Sequence, residues 1–460
     1  MDTTDFSKLD LSEAMLQNLD SLGYTTMTPI QAQSLPPILH NRDVIAKAKT
    51  GSGKTAAFGI GMLMKLNVKR FRIQEIVLCP TRELADQVAM ELRRLARFKH
   101  NIKILTLCGG MPFGPQRGSL EHGAHIIVGT PGRIQDHLGK GTLVLDDVHT
   151  LVLDEADRML DMGFSESILK IISNIPKERQ TLLFSATYPD EIAKMSRSVQ
   201  KDAVTVSIEA VHSENTITQR FYKVSRDNKV DILEQLLNMH QPESTVIFCN
   251  TKIACDDLAD DLADRHFHAF ALHGDLDQKE RTEVLTLFSN GSTSVLVATD
   301  VAARGLDIKD LKAVVNYDLP HDPEIYVHRI GRTGRAGKEG LALSLYSSKE
   351  ASKVNAIESY TKTSVEYGDI NSLPAAKGNG LQPRYSTLAI DGGKKSKLRP
   401  GDILGALTGD AGIEGKYIGK INVFDMVTYV AVDRSVVKSA FVRLRNGKIK
   451  GRNFRVRKVD

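Results

Sequence analysis

The chain has 460 residues, of which 41% are hydrophobic and 25% charged, with a formal net charge of +5. That length suits about three domains rather than a single core. No run approaches the roughly 20 apolar residues of a membrane-spanning helix, so a soluble protein with no membrane partner is expected. The opening MDTTDFSKLD is acidic and lacks the apolar run of a secretory leader or the basic character of a transit peptide, which makes a cytoplasmic location the expectation. Cys79, Cys108, Cys249 and Cys255 show no C-x-x-C pairing and read as buried free thiols rather than zinc ligands or disulfides.

Charge is distributed unevenly. Residues 385–460 carry 16 Lys/Arg against 7 Asp/Glu, leaving 45 basic against 49 acidic side chains for the rest. A basic tail on a near-neutral body suggests a polyanion-binding module, because neutralising phosphates is the main sequence-independent source of nucleic-acid affinity. On charge alone, a merely solvated basic surface is an equal reading.

From Asp43 to about residue 206, short β-branched runs alternate with helical stretches: VIAKA, IVLCP, ILTLC, IIVGT, LVLDE and TLLFS. This is the βα rhythm of a parallel sheet, and runs such as Ile76–Cys79 and Leu151–Leu153 suit strands buried on both faces. After a polar passage at 207–217 the rhythm restarts with VIFCN, AFALH, SVLVAT, AVVNYD and LALSLY, predicting a second α/β domain. Residues rich in Gly, Pro, Ser and Asn then read as a linker. The remainder gives β-α-β-β-α-β, the split βαβ order of RNA-recognition folds. The expected domains are therefore 1–206, 218–365 and 385–460, with a linker at 366–384.

Residues 48–55 read A-K-T-G-S-G-K-T between a strand-like and a helix-like run, the setting of a P-loop. Gly51 and Gly53 let backbone N–H groups turn toward phosphates, Lys54 offers charge to the β- and γ-phosphates, and Thr55 can hold Mg²⁺. Ala48 stands where the general pattern has Gly, so the loop alone leaves an ordinary Gly-rich turn open. Asp154 and Glu155 follow the apolar strand LVL, where one carboxylate can reach Mg²⁺ and its neighbour can orient water; helix N-capping is the alternative.

The sequence D-E-A-D at 154–157, with P-T-R-E-L at 80–84 and S-A-T at 185–187, resembles the DEAD-box RNA helicases. The resemblance spans roughly residues 6–345 and implies two tandem RecA-like P-loop domains. Phe6, Gly23-Tyr24 and Thr28-Pro29-Ile30-Gln31 look like that family's Q motif, in which the glutamine hydrogen-bonds adenine. The implied ATP contacts are Tyr24, Gln31, Ala48, Lys49, Thr50, Gly51, Ser52, Gly53, Lys54, Thr55 and Asp307, with Mg²⁺ on Thr55 and, through water, Asp154. Lys54 and Glu155 would be catalytic, Glu155 by placing the attacking water. H-R-I-G-R-T-G-R at 328–335 matches the family's last motif, and Arg332 and Arg335, three residues apart, would be arginine fingers on the transferring phosphoryl group.

Arg82, Gly109, Gly110, Thr130 and Arg133 fall where strands give way to loops or helices, positions from which backbone N–H groups, Thr and Arg grip a nucleic-acid backbone. In the family the matching motifs contact RNA, joined by positions resembling Arg281 and Thr299. Asp157, Ser185, Thr187 and His328 resemble the set that couples ATP to RNA. The implied mechanism closes two lobes on ATP and RNA, bending one strand so that a short duplex separates, and reopens them after hydrolysis.

In the tail, KKSKLR at 394–399 and KIKGRNFRVRK at 448–458 are two basic clusters. With IDGGKKSKLRPGDILGAL they resemble the DbpA group of DEAD-box proteins, in which a C-terminal RNA-recognition domain directs the core to a hairpin of 23S ribosomal RNA in the large-subunit precursor. An ordinary RNA-recognition motif stacks bases on aromatics of its central strands. Here those strands read LAID and VTYVAVD, so Tyr429 is the one candidate aromatic. Recognition is expected to lean instead on Lys394, Lys395, Lys397, Arg399, Lys448, Lys450 and Arg452. Competing readings are an ATP-locked RNA clamp, opposed by intact Glu155, Arg332 and Arg335, and a DNA motor, opposed by the Q motif and the RNA-type tail.

Overall fold

The computed structural model describes residues 4–48, 51–208, 217–303, 311–334, 339–375, 380–409 and 412–459. The chain divides near residue 213 into two compact units. Among the described residues no helix is long and apolar enough to cross a membrane.

The first unit is a seven-stranded parallel sheet built from β1 (Val44–Lys47), β2 (Glu75–Leu78), β3 (Ile104–Leu107), β4 (Ile126–Gly129), β5 (Thr150–Asp154), β6 (Gln180–Ser185) and β7 (Val204–Ser207) in the order β3-β4-β2-β5-β6-β1-β7. Strands β2, β4, β5 and β6 are buried along their whole length, as helices on both faces require. The helix Arg82–Leu95 illustrates the local coding. Thr81 caps it by accepting from the Leu84 N–H, Glu83 sits in its first turn, Arg93 and Arg94 in its last, and Leu84, Ala85, Val88, Ala89, Leu92 and Leu95 bury one stripe. Because every strand is parallel, the loops carrying the sequence motifs leave the sheet at its carboxyl end, where open α/β sheets bind ligands.

The second unit holds two sheets. The larger is seven-stranded: β8 (Ile217–Lys223), β9 (Thr245–Phe248), β10 (Ala269–Leu272), β11 (Val295–Ala298), β12 (Ala313–Asn316), β13 (Gly340–Tyr346) and β14 (Glu366–Gly368), in the order β10-β11-β9-β12-β13-β8-β14 and parallel throughout. The passage expected to begin a linker at residue 366 starts instead with this sheet's edge strand, and Leu381 is buried in its core.

The smaller sheet is antiparallel, with β15 (Tyr385–Ile390), β16 (Ile418–Val423), β17 (Thr428–Asp433) and β18 (Val456–Val459) in the order β16-β17-β15-β18. Leu388, Ile390, Val430 and Val432 pack against the helices Pro400–Thr408 and Val437–Asn446 through Ile403, Leu407, Ala440 and Leu444. On the other face, Ala389, Tyr429 and Val459 pack on Leu287 of the helix Gln278–Ser289. The seam is polar at its edges. Asn290 Nδ2 donates to Thr387 Oγ1 at 2.9 Å, the Ser292 and Thr387 hydroxyls meet at 2.8 Å, and Arg434 lies 3.0 Å from His268 Nε2.

All four cysteines are buried free thiols.

Candidate nucleotide and RNA sites

The P-loop follows β1 and opens the helix Lys54–Lys65, whose N-cap is Gly53 at φ 96°. A side chain is excluded there twice over: L-residues avoid that φ, and an added Cβ would stand 2.5 Å from Gln31 Nε2. Gln31 is buried and binds the loop, donating to the Gly53 carbonyl at 3.1 Å while its Oε1 accepts from the Thr28 N–H at 2.9 Å. Lys54 donates to the Ala48 carbonyl at 2.8 Å, and the Ala48 N–H donates to the Ser185 carbonyl at 3.0 Å, which ties the loop to the end of β6. Gly51 has φ 85°, Thr55 is half-buried, and the buried Ser52 Oγ has no partner among the described residues. Phe6 lies in the core, edge-on to Tyr24, whose hydroxyl donates to Glu91. Lys49 and Thr50 lie outside the described residues.

Asp154 ends β5, two strands from β1, and is 2% exposed, with Oδ1 unpartnered among the described residues. Burial pushes its carboxyl up to about 7 against the pull of Lys54. Glu155 is left-handed at φ 51°, ψ 53°, and its Oε2 accepts from Arg158 at 2.6 Å. Asp157 is a hub. Its Oδ2 accepts from the Ala186 N–H (3.1 Å), the Thr187 N–H (2.9 Å) and the Thr187 hydroxyl (3.0 Å), while its own N–H donates to Ser185 Oγ at 3.3 Å. Burial alone would raise its carboxyl, but these bonds and Lys54 outweigh it and hold it below the usual carboxylate range.

Arg82, Gly109, Gly110, Thr130 and Arg133 converge at the carboxyl ends of β2, β3 and β4, which are neighbours in the sheet. The Arg82 guanidinium stands over Gly110, where an added Cβ would come within 2.2 Å of its terminal nitrogen and φ is 70°. Nε and one terminal nitrogen of Arg82 are buried without partners among the described residues, and burial lowers its pKa. Thr130 caps the helix Pro131–Gly139 and its Oγ1 accepts from the Gly109 N–H at 3.4 Å. Arg133, on that helix, donates to the Met111 carbonyl at 2.9 Å and to Gln116 at 3.0 Å.

In the second unit Arg332 is buried just past the helix Pro323–Ile330, which carries half-buried His328 near its end. Arg281 donates to the Ala302 carbonyl at 2.8 Å, next to the turn containing Thr299. Asp307 and Arg335 lie outside the described residues. Sequence reasoning missed Arg329. Its guanidinium holds both Asp300 oxygens (2.7 and 2.8 Å), Asn250, Asn316 and the Asp318 carbonyl, stitching the ends of β9, β11 and β12 together. Arg158 was missed as well, although its i,i+3 spacing from Glu155 was readable.

In the C-terminal domain Lys394, Lys395, Lys397, Arg399, Lys448, Lys450 and Arg452 are all exposed. The two basic clusters meet: Lys450 donates to the Lys397 carbonyl at 3.0 Å, with Leu398 and Ile449 buried beneath. Tyr429 is 1% exposed and donates to Glu283 at 2.9 Å, so it is not available to stack a base.

Residues 28–195 match the DEAD/DEAH box helicase family, 228–337 the helicase conserved C-terminal domain and 387–458 the DbpA RNA binding domain. The chain is 55% identical to the ATP-dependent RNA helicase DbpA of Escherichia coli (strain K12), covering 99% of both proteins, and 37% identical to that of Bacillus subtilis (strain 168), again over 99% of each. It is also similar to a solved structure of S. cerevisiae Dbp5 bound to RNA and ADP BeF3, at 32% identity and a TM-score of 0.73, covering 80% of this chain and 96% of that one. With three family matches in the expected order and full-length likeness to DbpA proteins, the chain belongs to the DEAD-box family of ATP-dependent RNA helicases, in its DbpA group.

Proposed function

We propose that the protein uses ATP hydrolysis to unwind or remodel short stretches of ribosomal RNA in the cytoplasm. Its C-terminal domain targets the core to a hairpin of 23S rRNA during large-subunit assembly. The observation that carries the targeting is the single basic surface made where the 394–399 and 448–452 clusters meet at Lys397 and Lys450, on a domain whose Tyr429 is buried. Such a surface reads phosphates and hairpin shape rather than stacked bases.

In this reading Gln31 and Tyr24 select and pack the adenine, Asp307 takes the ribose, and residues 48–55 wrap the phosphates with Lys54 on the β- and γ-groups. Magnesium, when bound, neutralises charge on those phosphates. Thr55 and Asp154 are the residues to hold it, and the buried, unpartnered Asp154 Oδ1 fits a cation. Glu155 orients the attacking water, while Arg332 and Arg335 stabilise charge on the transferring group. Arg82, Gly109, Gly110, Thr130, Arg133, Arg281 and Thr299 hold the RNA backbone. Asp157, Ser185, Thr187 and His328 relay the state of the nucleotide to that grip.

The targeting is tested on the full chain by replacing Lys394, Lys395, Lys397 and Arg399 with Ser and titrating a hairpin fragment over a salt series. Removal of the domain would uncover Leu287 and is the poorer experiment. Weaker binding is expected, with a salt slope shallower by up to about 3 to 3.5, since each of the four lost phosphate contacts removes roughly 0.7–0.9. Unchanged affinity and slope would refute it.

A further inference from the structure

Glu155 occupies a backbone conformation that side-chain-bearing residues rarely adopt, φ 51° and ψ 53°, at the N-cap of the helix Ala156–Asp161. It is locked from both sides. Asp154 before it is held in β5 by pairing with β6, and Asp157 after it is tied to Ser185, Ala186 and Thr187. The left-handed kink turns the Glu155 side chain onto the next helical turn, where Arg158 reaches it. That contact is 2.6 Å long, with the two side chains only 6% and 9% exposed, so water does little to screen it. Arg158 is itself anchored at its backbone, its N–H donating to Asp157 Oδ1 at 3.0 Å. A long arginine fixed at its root and at its tip leaves Glu155 few alternative rotamers. Surface arginines at i,i+3 spacing contribute little, but this pair is buried in the middle of the proposed hydrolytic centre.

We infer that Arg158 is a positioning residue for hydrolysis: by gripping Glu155 Oε2 it sets the direction in which that carboxylate meets the attacking water. The inference rests on the reading of Glu155 as the residue that handles this water. In the step concerned, the water oxygen bonds to the γ-phosphorus and the bond to the β,γ-bridging oxygen breaks. The water proton passes to Glu155 and onward to solvent, and ADP and phosphate leave. Arg158 takes no part in the making or breaking of bonds. Its contribution is orientation, the kind of effect in which an error of about 1 Å costs on the order of a hundredfold in rate.

The test compares full-length wild type, Arg158→Met, Arg158→Lys, Glu155→Gln and the double variant Arg158→Met/Glu155→Gln. It measures steady-state kcat and KM for ATP at saturating RNA, single-turnover hydrolysis for the slow variants, and affinity for a non-hydrolysable ATP analogue. Arg158→Met is expected to lower kcat about 10- to 100-fold with KM and analogue affinity within about twofold, and Arg158→Lys to recover much of the loss. On the Glu155→Gln background, Arg158→Met should cost nothing further, because its effect passes through Glu155. Wild-type kcat in Arg158→Met, parallel losses of kcat and nucleotide affinity, or additive losses in the double variant would each overturn the inference. Full hydrolysis by Glu155→Gln would instead overturn the underlying reading of Glu155, a separate and distinguishable failure.

Discussion

Tyr429 donates its hydroxyl to Glu283 at 2.9 Å across the seam between the C-terminal sheet and the second helicase sheet's helix Gln278–Ser289. The same carboxylate oxygen accepts from Arg457 at 2.5 Å, and burial, then the Glu283 bond, pushes the Tyr429 phenol well above its ordinary pKa. The helix that docks the C-terminal domain through Glu283 and Leu287 thus also carries Arg281, an expected RNA contact. Replacing Glu283 with Ala leaves a buried phenol and a half-buried guanidinium without this acceptor. The expected loss is about 1–3 kcal/mol in denaturant unfolding of this unit, with faster amide exchange in Thr428–Asp433. Exchange unchanged from wild type would show that Glu283 is not what holds the seam.

The Thr187 hydroxyl donates to Asp157 Oδ2 and Ser185 Oγ accepts from the Asp157 N–H, so Ser185→Ala with Thr187→Ala removes both side-chain links between the acidic motif and the end of β6 while the two backbone donors to Asp157 and the P-loop lysine stay in place. Duplex unwinding is expected to fall well below ATPase, by about tenfold, one hydrogen-bonding network's worth of coupling. Equal loss of both activities would contradict the assignment of these residues to coupling.

The Arg82 guanidinium lies over Gly110, and the two are proposed to act together on RNA. Arg82→Ala removes a charge-assisted contact and should raise the RNA concentration for half-maximal ATPase about tenfold, near 1.5 kcal/mol, with ATP affinity unchanged. Gly110→Ala should act in the same direction through the guanidinium it displaces and a left-handed backbone cost of about 1–2 kcal/mol. A shift in ATP affinity rather than RNA affinity would misplace both residues.

Glu75 begins β2 fully buried, with neither carboxylate oxygen hydrogen-bonded, and burial raises its pKa from 4.5 to about 8 despite nearby Lys65 and Lys99. The folded chain therefore keeps this proton where the unfolded chain releases it. The contribution is complete below about pH 4.5 and fades as pH climbs through about 8. Glu75→Gln should flatten that decline, gaining stability relative to wild type at pH 8.5 but not at pH 5, as read from unfolding midpoints. Parallel pH profiles would place the ionisation elsewhere.

The buried parallel strands were legible because each is a short β-branched run buried on both faces, as in Thr150–Asp154 and Thr245–Phe248. Strands β7, β8 and β14 were not: ITQRFYK and EYG are polar and partly exposed, and they become strands through their neighbours. The motif residues could be named through their resemblance to the DEAD-box helicases, and the structure brings Arg82, Gly109, Gly110, Thr130 and Arg133 together, as it does Asp157, Ser185 and Thr187. What spacing could not supply is partnership across the fold. Tyr429 finds Glu283 at a separation of 146 residues, and Arg329 finds Asn250 at 79, distances at which no local pattern carries a signal.

The most direct measurement is steady-state ATPase of the full chain with no nucleic acid, generic RNA, matched DNA and a 23S rRNA fragment containing the hairpin. Strong stimulation by the fragment is expected, with little by generic RNA and none by DNA, and the advantage of the fragment should be lost when Lys394, Lys395, Lys397 and Arg399 are replaced by Ser. Equal stimulation by any RNA would contradict the targeting, and turnover that ignores RNA or prefers DNA would contradict an RNA-driven helicase outright.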